Sequence, residues 1–180
     1  MNIYGKILKL FGWSVTVSVP DYPKAIICVA PHTSNWAFIL GKLAYASVGR
    51  RGGFLMKESW FFWPLGPIFR AIGGVPVPRR KKNYSLTQLL IDRFRNEPRL
   101  VLAITPEGTR KPTAKWHTGF LEIARQAGVP LILAAIDFGT KRVLIQKQFT
   151  PTGDNEADMA EIKKYYSQFS GKISSNCITD

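Results

Sequence analysis

Five short apolar runs rich in β-formers punctuate the chain: "AIICVA" (25–30), "GFLMK" (53–57), "LVLAIT" (100–105), "PLILAAIDF" (130–138) and "RVLIQKQF" (142–149). The first, third and fourth are apolar on both faces, as strands buried in the middle of a sheet must be. Between the runs lie patterns with helical period: "NWAFILGKLAYAS", "SLTQLLIDRFRN" and "WHTGFLEIARQAG", the last ending in a glycine stop. Strand–helix alternation of this kind predicts the α/β class, with a mostly parallel central sheet flanked by helices. "DNEADMAEIKKYYSQFSG" starts acidic and turns basic, which suits the helix dipole and predicts a closing helix.

A length of 180 residues and an apolar share of 46% suffice for one well-buried core, which excludes disorder of the whole chain. No internal repeat, low-complexity linker or composition break divides the sequence, so residues 1–170 are expected to form a single domain and 171–180 a loose tail. The N-terminal stretch sets Ile3, Ile7, Leu8, Leu10 and Phe11 on one broad stripe beside Lys6 and Lys9. Such a short basic amphipathic segment fits either a membrane interface or the domain's own core. "ESWFFWPLGPIF" has bulky aromatics broken by two prolines and is expected to make a poor regular helix; it fits an acyl-facing or membrane-facing surface, or, as aromatics more often do, the core.

The opening residues lack a continuous apolar region and a small-residue cleavage site, and no segment is long and uncharged enough to predict a transmembrane helix. Cys28 and Cys177 have neither the spacing of a metal knuckle nor that of a redox pair. Together these features predict a reduced, cytoplasmic setting. Lysine and arginine exceed aspartate and glutamate by 13, which favours anionic partners: phosphorylated metabolites, acidic carrier proteins, anionic lipid surfaces or nucleic acid.

In open α/β sheets functional groups gather on loops at the carboxyl ends of the strands. Three loops have that position: "PHTSNWA" after the first run, "TPEGTRK" after "LVLAI", and "GGVPVPRRKK" after the aromatic segment. Their convergence would bring His32, Glu107, Arg110 and Arg79 into one basic cleft. Arginine makes paired hydrogen bonds to phosphate or carboxylate, which lysine cannot. Ser34 lacks a glycine-framed nucleophile elbow, so Thr33, Ser34 or Asn35 is expected to cap the following helix.

His32-Thr33-Ser34-Asn35-Trp36-Ala37, Gly74 to Arg79, Pro106-Glu107-Gly108-Thr109-Arg110 and Val129-Pro130-Leu131 stand in one order along the chain. Together they resemble the four signature blocks of the lysophospholipid acyltransferase family, the glycerolipid acyltransferases that include 1-acylglycerol-3-phosphate acyltransferases. The resemblance spans residues 25 to 140 and implies transfer of a fatty acyl group from an acyl carrier protein or coenzyme A thioester to a hydroxyl of a lysolipid-like acceptor. Acyl-ACP or acyl-CoA then serves as co-substrate, with no other cofactor and no metal. By the same resemblance His32 is the general base, and an aspartate is expected where Ala37 stands. Arg79 and Arg110 would hold the acceptor's anionic head, with Glu107 fixing a hydroxyl or an arginine (or pairing with Arg110 in a loop salt bridge), the Gly108 and Thr109 backbone close by, and Lys57 a weaker candidate for the same pocket.

An orienting carboxylate fixes the histidine tautomer and stabilises the imidazolium, and weakening it in serine hydrolase triads costs about four orders of magnitude in turnover. Alanine at 37 does neither, so this chain is expected to bind and to be strongly impaired in catalysis. Because the other motif residues are intact and alanine is the usual truncation, the change reads as an engineered inactivation of an active enzyme, with a natural non-catalytic lipid-binding member as the alternative. A takeover of the carboxylate role by Glu107 would require it to approach His32. The acyl channel is assigned to the apolar sequence around "WAFILGKLAY" and "WFFWPLGPIF", with Trp36, Phe38, Trp60 and Phe61 as lining candidates.

Lysophosphatidic acid is the default acceptor. An arginine pair would equally suit the carboxylate of an acylated amino acid, which keeps an aminolipid O-acyltransferase open. Arg80, Lys81 and Lys82 are expected to attract a membrane or an acidic carrier, and His117 to cap a helix or face solvent. The expected partners are the lysolipid acceptor, the carrier or coenzyme A thioester, and an anionic membrane, at the inner face of the cytoplasmic membrane. Charge alone favours nucleic acid, and no recognised binding motif supports it.

Overall fold

The computed structural model describes residues 2–78 and 85–173. Its centre is a seven-stranded sheet built from β1 (Ser14–Val17), β2 (Lys24–Ala30), β3 (Gly53–Lys57), β4 (Gly74–Val77), β5 (Leu100–Ile104), β6 (Leu131–Asp137) and β7 (Arg142–Phe149). The order across the sheet is β1-β7-β6-β2-β5-β3-β4. β6, β2, β5, β3 and β4 run parallel, and β7 reverses direction against β6. β1 pairs parallel with β7 at the edge. This is the single α/β domain with a mostly parallel sheet that the strand–helix alternation predicts.

Side-chain alternation along the strands divides the core between the two faces of the sheet. On β2, Ile26, Cys28 and Ala30 join one apolar cluster, while Ala25 and Ile27 join the other. β6 divides the same way, with Leu131, Leu133 and Ala135 opposite Ile132, Ala134 and Ile136. The first face is covered by α4 (Leu86–Asn96), α5 (Gly119–Ala127) and α6 (Asn155–Tyr166), through residues such as Leu90, Phe120 and Ile162. The second is covered by α1 (Ile3–Leu10) and α2 (Asn35–Ser47), through Leu8, Ala37, Leu40, Ala44 and Tyr45. α3 (Leu65–Ala71) lies on the α2 side: Lys42 of α2 donates to the Ile72 carbonyl at its end and to Gly52, both at 2.8 Å. Cys28 is fully buried, and that burial pushes its thiol up to about 12, which makes it inert packing.

Three elements differ from the sequence expectation. Ser14–Val17 forms a short edge strand with no long apolar run to announce it. Gly74–Val77, expected as loop, is the opposite edge strand. Pro76 is tolerated there because an edge position needs no ladder hydrogen bond on its outer side. Part of "ESWFFWPLGPIF" is helical after all: a single 3-10 turn spans Glu58–Trp60, and α3 holds Pro67 in its first turn. Amides of a first turn have no intrahelical acceptor, so the missing N–H of proline costs nothing at that position.

The expected loose tail begins at 171. Its first residues lie against the turn after β2, where the Ile173 amide donates to Thr33 Oγ1 at 3.2 Å and the Lys172 ammonium sits 5.0 Å from the Trp36 ring centre. Among the described residues, no helix is long and apolar enough to cross a membrane.

Candidate active site

β2 and β5 are neighbours, paired from Lys24 with Leu100 to Cys28 with Ile104, so the loops that leave their carboxyl ends emerge side by side. The first carries His32 and the second Glu107. The His32 backbone N–H donates to the Glu107 carboxylate, 2.8 Å from Oε2 and 3.1 Å from Oε1. Glu107 is only 8% exposed. Burial pushes its carboxyl up to about 7, and the bond from His32 opposes part of that rise. Glu107 therefore does approach His32, but it grips the backbone and leaves the imidazole to other partners.

The ring of His32 is half-buried and makes no hydrogen bond among the described residues. Burial, and then the nearby Arg110 charge, hold its pKa below the ordinary histidine value. The neutral imidazole is thereby favoured, which is the form a general base requires. Arg110 donates from its guanidinium to Asn35 Oδ1 in the first turn of α2, tying the β5 loop to the helix that follows His32.

Ala37 lies in that same first turn, 1% exposed and among the residues lining the cleft that opens at His32. No carboxylate occupies the position. Ser34 is the N-cap residue of α2, yet its hydroxyl makes no capping bond and is buried without a partner. The expected side-chain cap is thus absent.

Gly108 has φ +64°, a left-handed conformation that glycine adopts without strain. A Cβ there would stand 2.7 Å from Cδ2 and 2.8 Å from Nε2 of His117, so the His117 ring lies directly on the glycine. The His117 amide also donates to the Pro106 carbonyl at 2.8 Å. His117 lines the same cleft, a position the sequence does not announce because it lies outside every motif. It does not cap α5, whose N-cap is Thr118, and it faces solvent, as the second of the two expectations has it.

Lys57, Gly108 and Arg110 line the cleft with His32, while Thr109 stays outside the lining and accepts from the Lys111 amide at 3.2 Å. Of the four apolar channel candidates, Phe38 lines the cleft and packs edge-on against Phe54. The other three do not line it. Trp36 is exposed beneath Lys172, Trp60 is exposed on the 3-10 turn, and Phe61 packs against Phe69 with the Arg70 guanidinium over its ring. Residues near α2 that the sequence did not single out, Gly41, Phe54 and Met56, line it instead. Arg79, and with it Arg80, Lys81 and Lys82, lies outside the described residues, as does Cys177. Among the described residues no three His, Cys, Asp or Glu side chains converge as metal ligands would.

A protein-family model described as Acyltransferase matches residues 15–137. The chain belongs to the acyltransferase family. The matched stretch runs from β1 to the end of β6 and contains His32, position 37 and the Pro106–Arg110 run of this acyltransferase. Among curated proteins none matches the chain.

Proposed function

We propose that this acyltransferase fold serves transfer of a fatty acyl group from an acyl carrier protein or coenzyme A thioester to a free hydroxyl of a lysophospholipid-like acceptor, lysophosphatidic acid first, and that Ala37 leaves this chain strongly impaired. The observation that carries the reading is His32: backbone pinned by Glu107, ring unpaired among the described residues, pKa lowered, in a cleft that Arg110 and Lys57 also line. In the reaction the neutral imidazole takes the acceptor hydroxyl proton as the oxygen attacks the thioester carbonyl. The tetrahedral intermediate collapses, the C–S bond breaks, and the imidazolium returns the proton to the leaving sulfur. No enzyme nucleophile is required.

The same geometry explains what Ala37 removes. Burial and the Arg110 charge both oppose the imidazolium. A carboxylate in the first turn of α2 would offset them and is favoured there by the helix dipole. Arg110 and Lys57 would hold the acceptor's anionic head, Arg110 alongside its bond to Asn35, while Glu107 serves by positioning His32. The protein would work peripherally at the inner face of the cytoplasmic membrane.

The deciding experiment is single-turnover transfer from acyl carrier protein and coenzyme A thioesters to a panel of lysolipids and acylated amino acids, comparing the chain with Ala37→Asp. Aspartate is expected to raise the rate by about 10³–10⁴ for one acceptor class. Ala37→Asp should also raise the His32 pKa relative to the parent, because the added carboxylate opposes the burial and the Arg110 charge that lower it, and an NMR titration of the ring in both forms checks this. Ala37 also favours a second reading, a non-catalytic lipid binder. Lipid binding by both forms with transfer by neither would establish that alternative.

A further inference from the structure

The exposed apolar residues are distributed unevenly. Among the described residues, all the exposed large hydrophobics except Leu86 and Ile173 lie in or flanking α1, α2 and the segment from the 3-10 turn to the end of α3, on one side of the sheet. The side covered by α4, α5 and α6 has no comparable patch.

Topology concentrates the most protruding of them further. Asn2 of the α1 cap donates to the Ala46 carbonyl near the end of α2, so α1 runs antiparallel to α2 and finishes beside the start of the latter. There Trp13 packs edge-on against Phe138, just beyond β6, and Lys141 reaches the Phe11 carbonyl. Leu10 and Phe11 are therefore at the carboxyl end of the parallel strands. Trp60, Phe62 and Trp63 follow β3 at that same end, and Trp36 begins α2 there. Leu10 is 80% exposed and Trp63 85%. This is the end at which His32 opens.

We propose that this rim, formed by Leu10, Phe11, Trp36, Trp60, Phe62 and Trp63, inserts into the interface of an anionic bilayer and presents the His32 end of the sheet to the membrane. Charge selects that occupant. In or flanking the three helices on this side are Lys6, Lys9, Lys42, Arg50, Arg51, Lys57 and Arg70 against the single acid Glu58, Arg50 being paired with Asp21, and Lys141 and Lys172 stand at the rim. Tryptophan beside lysine is the composition of a membrane–water boundary, where the ring stays at headgroup depth and the ammonium reaches anionic lipid. Two separate apolar footholds, the end of α1 and the aromatic segment before α3, meet the requirement that stable peripheral anchoring combine more than one weak contact.

The test is flotation of the full chain with vesicles containing phosphatidylglycerol and with vesicles of phosphatidylcholine alone, without donor or acceptor, so that it stands apart from the transfer reading. Strong partition is expected only onto the anionic vesicles. The pairs Leu10→Ser with Phe11→Ser, and Phe62→Ser with Trp63→Ser, should each weaken it about tenfold, whereas Leu86→Ser on the opposite side should not. Failure of the parent chain to float, or partition unchanged by both pairs, overturns the proposal. So does sedimentation of the lipid-free parent as a dimer that the Phe62/Trp63 pair makes monomeric, which would assign the rim to a second copy of the chain.

Discussion

Glu107 meets His32 through the backbone amide and not through the imidazole. As a sequence element it belongs to the "PEGTR" run, where the resemblance implies acceptor binding. In the fold its carboxyl is buried and receives the His32 amide. Its neutral form is favoured, with the pKa raised from 4.5 to about 7. A raised carboxyl stabilises the fold fully below its unfolded value and loses that contribution as pH rises through the folded one, about 3 kcal/mol in all. Glu107→Gln keeps an oxygen to accept from His32 and carries no charge at any pH. Thermal melts at pH 5 and pH 8 should show the variant gaining on the parent at the higher pH. A constant difference between the two would mean that the carboxylate is not desolvated. Ala37 is the complementary case, because the resemblance leads one to expect an aspartate there and, among the described residues, no carboxylate bonds to the His32 ring.

The loop after β5 depends on a local close approach. With φ +64°, Gly108 sits where an L-residue costs about 1–2 kcal/mol, and the His117 ring occupies the space that a side chain would need. Gly108→Ala should therefore destabilise by about 2 kcal/mol or more in urea unfolding. Adding His117→Ala should restore the steric part of that loss and leave the dihedral part, with a coupling of about 1 kcal/mol. If the two changes are additive, the ring does not bear on the glycine. Elsewhere the elements followed their patterns closely: "NWAFILGKLAYAS" is α2 residue for residue, and β7 spans Arg142–Phe149 as expected. The misses are the two edge strands and α3. Each is short and lacks an uninterrupted periodic pattern, so neighbouring strands and helices decide its conformation.

Across the whole molecule the site is held from both faces of the sheet. Tyr166, at the end of α6, is 1% exposed and its hydroxyl donates to the Cys28 carbonyl at 2.6 Å, four residues before His32. Tyr166→Phe should cost about 1–3 kcal/mol by urea unfolding, because it strips a partner from a buried carbonyl while keeping the ring. An unchanged midpoint would show that the last helix does not secure this strand. The sequence alone determined the α/β class, the central strands, the long helices and the residues worth testing. Apolar periodicity records which faces are buried, and short motifs record their own loops. Only the tertiary structure decided that the β2 and β5 loops are neighbours, that Glu107 grips the backbone of His32, that His117 lies on Gly108, and that Trp36, Trp60 and Phe61 stay outside the cleft. Apart from the His117–Gly108 contact within one loop, these placements depend on segments tens of residues apart, set by strand order and helix direction, to which no local pattern in the chain is sensitive.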